Sequence, residues 1–158
     1  MSLNVFSKEK RKILEFILKS MTITIHSDGG SRGNPGPAAY GYTIHDHDNN
    51  LVHEEGAYIG VTTNNVAEYS GVLNSLEWVN TNMSVTSVTV VVDSELVARQ
   101  LSGIYKIKNE NLKIFVSKIK LLEKQLSCPI EYKSVPRSDN KDADRLVNAA
   151  LDNHSNSF

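Results

Sequence analysis

From Val88 the chain reads VTVVV and closes on Asp93, with Thr89 the only break in an apolar run. A strand with water on one side alternates apolar and polar residues, whereas a strand covered on both faces does not. The run therefore calls for a sheet with helices on both sides. Its neighbours say which kind. TITIHS (22–27) alternates, with Ile23 and Ile25 on one face, and AAYGYTIHD (38–46) and LVHEEGAYIG (51–60) read as two further strands. The polar HDHDNN (45–50) between them marks a hairpin. NNVAEYSGVLNSLEWVN places Val66, Tyr69, Val72, Leu73, Leu76 and Val79 at helical spacing. SELVARQLSG (94–103) and NLKIFVSKIKLLEKQL (111–126) are helical, IEYKSV (130–135) is a strand, and NKDADRLVNAAL is a last helix starting at Asn140. Three strands, a helix, a strand, helices, a strand and a helix make an α/β fold. Its mixed sheet begins as a β-meander and continues through right-handed crossovers.

A length of 158 residues suits one domain with its own core, expected over 21–152. Residues 7–20 read as a basic amphipathic helix, with a stripe of Ile13, Leu14, Phe16 and Ile17, within an N-terminal extension, 1–20, that is expected to be either docked or frayed. A nucleic-acid contact or the remnant of a neighbouring domain are the sharper readings of that extension. Residues 153–158 read as a polar, mobile tail. Cys128 is the only cysteine, which excludes an internal disulfide and a cysteine-based zinc site and fits a reducing, cytoplasmic compartment. No apolar run reaches membrane-spanning length, so no membrane partner is expected. A net charge of −1 means that a polyanionic partner would need local cations or metal ions.

Four acids stand at element boundaries, and each admits an ordinary explanation. Asp28, at the end of the first strand in SDGGSRGNPGPAAYGY, is a turn residue. Glu68, in the first turn of its helix, completes a capping box with Asn65. Asp93 is an N-cap, and Asp144 meets a helix dipole. Taken together they read differently. If the first strand and the 88–92 strand are parallel neighbours, Asp28 and Asp93 emerge side by side at the crevice where open α/β sheets place their sites. Clustered carboxylates repel unless hard cations such as Mg²⁺ or Mn²⁺ lie among them. Two such ions about 4 Å apart suit displacement at a phosphate.

At these residues the sequence resembles the type 1 ribonuclease H family over about residues 22–151. DGGSRGNPGPAAYG, TTNNVAEYSGVLNSLEW, DSELVARQLSG and NKDADRLVNAAL follow the family's order and spacing, each with its acid. The resemblance implies a five-stranded mixed sheet flanked by helices. It also implies an endonuclease that hydrolyses the RNA strand of RNA/DNA hybrids, leaving 5′-phosphate and 3′-hydroxyl ends. Asp28, Glu68, Asp93 and Asp144 would be catalytic and would ligate two Mg²⁺ ions, with Mn²⁺ as a substitute. Gly29, Asn34, Thr63, Asn64 and Asn65 match positions that touch the hybrid, whose shallow minor groove displays 2′-hydroxyls. A monomer is expected, and the alternative is a nucleic-acid-binding module of the same fold without catalysis. Three departures stand out. The loop YKSVPRSDN lacks a histidine found in many members, leaving Arg137 as the nearest candidate for a phosphate contact or a partial substitute, and His154 as a solvated tail residue. Glu95 replaces a glutamine of several relatives, and can accept from but not donate to a 2′-hydroxyl. The basic protrusion of some relatives is missing, leaving Lys106, Lys108, Lys113, Lys118 and Lys120 as a reduced basic surface.

Overall fold

The structure, a computed structural model, describes residues 7–157, and the side chains of residues 18–20 are not described. The elements are α1 (Lys8–Ser20), β1 (Thr22–Ser31), β2 (Gly36–His45), β3 (Leu51–Thr62), α2 (Asn64–Asn82), β4 (Ser87–Val92), α3 (Glu95–Leu101), α4 (Glu110–Leu126), β5 (Ile130–Ser134) and α5 (Lys141–Ser155). They form one sheet in the order β3-β2-β1-β4-β5. β2 pairs antiparallel with both β1 and β3, and β4 pairs parallel with β1 and β5. This is the expected mixed sheet of meander and crossovers.

Period-two alternation sorts the strand residues between two helical layers. Ile23, Ile25, Tyr42 and Ile44 are buried with Val72, Leu76 and Val79 of α2 and with Leu112 and Ile119 of α4. On the opposite face, Ala39 packs with Val147 and Leu151 of α5. That helix comes unusually close, because a Cβ at Gly41 would stand 2.6 Å from the Ala143 carbonyl oxygen. Two packed layers thus hold β1 and β4 as inner strands.

Several element ends differ from the sequence expectation. β1 does not stop at Asp28. It runs on to Ser31, paired with β2 through Asp28↔Gly41 and Ser31↔Ala38, so the turn is only residues 32–35. α2 is capped by Thr63, whose hydroxyl accepts from Val66 N at 3.3 Å. Glu68 lies one turn further in, and the capping box with Asn65 does not form. The N-cap of α3 is Ser94, not Asp93. Asn140 precedes α5 without capping it through its side chain. Its amide instead donates to the Ser27 carbonyl at 2.9 Å, a tertiary bond that local sequence cannot show. α5 continues to Ser155, where the expectation was a mobile tail, and His154 stacks on Tyr58 with ring centroids 3.5 Å apart.

Of the two expectations for the extension, docked or frayed, the stripe of α1 does not meet the first. Ile13, Leu14, Phe16 and Ile17 are 46–65% exposed, and Phe16 touches the body through an edge contact with His47 at the hairpin tip. That tip lies at the start of β1, six residues or about 20 Å from Asp28 along the strand. Residues 1–6 and 158, parts of the expected extension and tail, lie outside the described residues. Among the described residues no helix is long and apolar enough to cross a membrane.

Candidate active site

The parallel ladder between β1 and β4 ends at His26↔Val91, and continuing its register by two residues sets Asp28 opposite Asp93. There the two strands part, one into its pairing with β2 and the other into α3. Glu68 arrives from a third direction, and Gly29 is what admits it. A Cβ on Gly29 would lie 2.2 Å from the Ala67 carbonyl carbon and 2.4 Å from Glu68 N, so only a bare backbone lets α2 rest on β1 at that point. The glycines after Asp28 thus serve the approach of a helix before they serve any ligand.

The outcome is a tight triad. Oxygens of Asp28, Glu68 and Asp93 all lie within 4.8 Å of one another, close enough to hold a metal ion. Asp28 is 8% exposed and accepts a hydrogen bond from Gly29 N at 2.9 Å. Burial, then the charges of Asp93 and Asp144, push its carboxyl up to about 7 against the help of that amide. Burial and then the charges of Asp93 and Asp28 push Glu68 up to about 8. Asp93 is raised as well, mainly by burial, with Arg137 opposing and Asp144 adding. Crowded oxygens that resist ionising in one another's company form a site lacking positive charge. An all-oxygen donor set of this kind fits a hard divalent cation.

Asp144 stands outside the triad but on the same cleft, an open cavity of about 380 Å³. Its Oδ1 accepts from Arg137 Nη2 at 3.1 Å, and the guanidinium is otherwise exposed and held firmly protonated by that carboxylate. The expected quartet is therefore three acids in contact and a fourth on the wall, paired with an arginine. Gly29, Asn64 and Arg137 also line the cleft. Asn64 Oδ1 accepts from both Ser31 N (2.8 Å) and Ser31 Oγ (3.0 Å), and Asn34 Oδ1 accepts from Asn64 N at 3.1 Å. These bonds fix the 32–35 turn against the start of α2, beside the exposed Thr63 and Asn65. Glu95 does not line the cleft; its carboxylate meets Arg99 at 2.8 Å. Of the basic surface, Lys113 pairs with Glu110, while Lys120 donates to Leu101 O and Glu123. His154 also stays away from the cleft lining, on Tyr58.

Sequence reasoning passed over Asn140 and Arg32. Asn140, 1% exposed, ties the start of α5 to the residue before Asp28. No local pattern separates it from an N-cap. Arg32 lines the cleft as the only cation within SDGGSRGNPG, a signal that was available.

Comparison with known proteins places this arrangement. The family model described as Reverse transcriptase-like matches residues 26–150. The bifunctional protein Rv2228c of Mycobacterium tuberculosis is 42% identical over 133 residues, which are 84% of this chain and 36% of that protein. The solved N-terminal RNase H domain of the same protein superposes with a TM-score of 0.80 at 40% identity, covering 87% of this chain and 99% of that one. Ribonuclease HI of Halobacterium salinarum is 37% identical over 128 residues, 79% of this chain and 62% of that enzyme. LC11-RNase H1, isolated from compost and solved in complex with an RNA/DNA hybrid, gives a TM-score of 0.80 at 42% identity, covering 84% of this chain and 98% of that one. The chain thus spans about a third of the length of the mycobacterial relative and nearly all of the two solved structures. With its five-stranded sheet, its carboxylate triad and these relatives, the chain belongs to the type 1 ribonuclease H family.

Proposed function

We propose that the chain is an endonuclease that hydrolyses the RNA strand of RNA/DNA hybrids and leaves 5′-phosphate and 3′-hydroxyl ends. The observation that carries this reading is the convergence of Asp28, Glu68 and Asp93 at the base of an open cleft in a chain of this family. Those three residues would hold divalent cations, with Asp144 completing the set from the cleft wall. We take the ions to be two Mg²⁺, with Mn²⁺ as substitute. When bound, they would supply activation of a water and stabilisation of the leaving oxygen.

The residues of the chain supply the rest. Gly29 N holds the Asp28 carboxylate in place, and the β1–β4 register sets Asp93 beside it. Arg137 keeps Asp144 turned to the cleft and offers a guanidinium to a phosphate. The Asn34–Asn64–Ser31 bonds fix a platform from which Asn34, Thr63, Asn64 and Asn65 would meet the minor groove. Selectivity for RNA would follow from hydrogen bonds to 2′-hydroxyls, because a site built for a hydroxyl discriminates strongly against its absence. Glu95, turned to Arg99, has no part in this reading. The chain would act as a monomer in a reducing cytoplasm, a setting that suits its single cysteine.

The test is cleavage of an end-labelled hybrid with Mg²⁺, with Mn²⁺ and with EDTA, alongside duplex DNA and duplex RNA. Metal-dependent cutting confined to the hybrid's RNA strand is the expected result. Retention of the hybrid without any cutting would instead identify a binding module of the same fold.

A further inference from the structure

Among the described residues only two cations line the cleft, Arg137 and Arg32, against the four acids Asp28, Glu68, Asp93 and Asp144. Both arginines are held by α5. Arg137 meets Asp144, and Arg32 Nη2 lies 2.6 Å from Asp152 Oδ1. The two aspartates are eight residues apart on the helix, a rise of about 12 Å, so the two arginines are held at separate points along α5. The side chains of Arg32 and Asp152 are 43% and 60% exposed. An exposed ion pair contributes little to stability, so little opposes its exchange for another anion. A chain with net charge −1 that must hold a polyanion beside four carboxylates depends on such local cations. The guanidinium fork matches phosphate oxygens as it matches a carboxylate.

We infer that Arg32 is a backbone-phosphate contact for the nucleic-acid substrate and that Asp152 occupies its guanidinium until a phosphate displaces it. This rests on the hybrid-nuclease reading above. Arg32 is a binding residue here, and Asp152 a competitor for it. The two therefore have opposite effects, which a structural clamp between the turn and α5 would not produce.

The experiment is hybrid binding by fluorescence anisotropy in an Asp93→Asn background with Mg²⁺, between 50 and 200 mM salt. It is paired with thermal melts and with KM and kcat in the otherwise wild-type chain. Arg32→Ala is expected to weaken binding about fivefold and to flatten the slope of log K against log salt by about 0.9. It should raise KM while leaving kcat within about twofold, and Arg32→Lys should restore the slope. Asp152→Asn is expected to tighten binding about twofold, a gain that disappears when Arg32 is already alanine. An unchanged salt slope in Arg32→Ala, or weaker binding with a lowered melting point in both variants, overturns the assignment while wild-type cleavage stands. A wild-type chain that neither binds nor cuts the hybrid overturns the parent reading and this one with it.

Discussion

Replacing Asp28 by asparagine should stabilise the metal-free protein while abolishing its chemistry. The carboxyl of Asp28 is pushed up to about 7 in the folded chain, from 3.8. Between those values the folded state binds a proton that the unfolded state has released, so stability is full below about pH 4 and declines as pH rises through 7. Three units correspond to about 4 kcal/mol at 1.36 kcal/mol per unit. Asparagine keeps an oxygen for Gly29 N, removes the charge and relieves Glu68. Allowing about 1 kcal/mol for desolvating the amide leaves a gain of about 3 kcal/mol at pH 8. For a chain of this length, that raises Tm by roughly 6–12 °C. The assay is thermal unfolding in EDTA at pH 5 and pH 8, repeated with Mg²⁺. The gain should be present at pH 8 and nearly absent at pH 5, where Asp28 of the wild type is already protonated. Mg²⁺ should raise the wild-type Tm more than that of the variant. A variant that melts at or below the wild type at pH 8 in EDTA would refute the claim that burial, and after it the neighbouring acids, oppose the charge of Asp28 in the fold.

Other outcomes follow from the same geometry. Asp93→Asn should lower hybrid cleavage by about 10³-fold with hybrid binding retained, read by single-turnover kinetics and anisotropy. Gly29→Ala drives a methyl into the α2 backbone 2.2 Å away, and should cost about 3 kcal/mol in urea unfolding while spreading the triad and weakening Mg²⁺ binding. Removing residues 1–20 takes away an exposed apolar stripe far from Asp28. It should change unfolding free energy by less than about 0.5 kcal/mol and leave hybrid KM unchanged.

The parts of this structure that were legible in the chain are those decided by local pattern. The apolar 88–92 run, the alternation of 22–27 and the helical spacing of 66–79 gave the order of elements. Parallel pairing of the first and fourth strands then sufficed to bring Asp28 and Asp93 together. What stayed hidden was decided by partners distant in sequence. Gly29 looked like turn chemistry or a ledge for a ligand, but it is a gap for Ala67 and Glu68, which lie 38 and 39 positions further along. Asn140 looked like the first residue of a helix and instead precedes it, its amide bonded to the Ser27 carbonyl. The stripe of α1 left docking and fraying both open, because amphipathicity specifies only that a face is apolar, not that the body offers a place for it. Asp144 was grouped with the other acids by order along the chain, and only the structure separates it from them through Arg137.

The most direct test of the central claim is anomalous scattering from a crystal of the wild-type chain grown with Mn²⁺. The account predicts a strong peak within coordination distance of oxygens from Asp28, Glu68 and Asp93. Mn²⁺ bound elsewhere, with those three carboxylates turned apart, would contradict it.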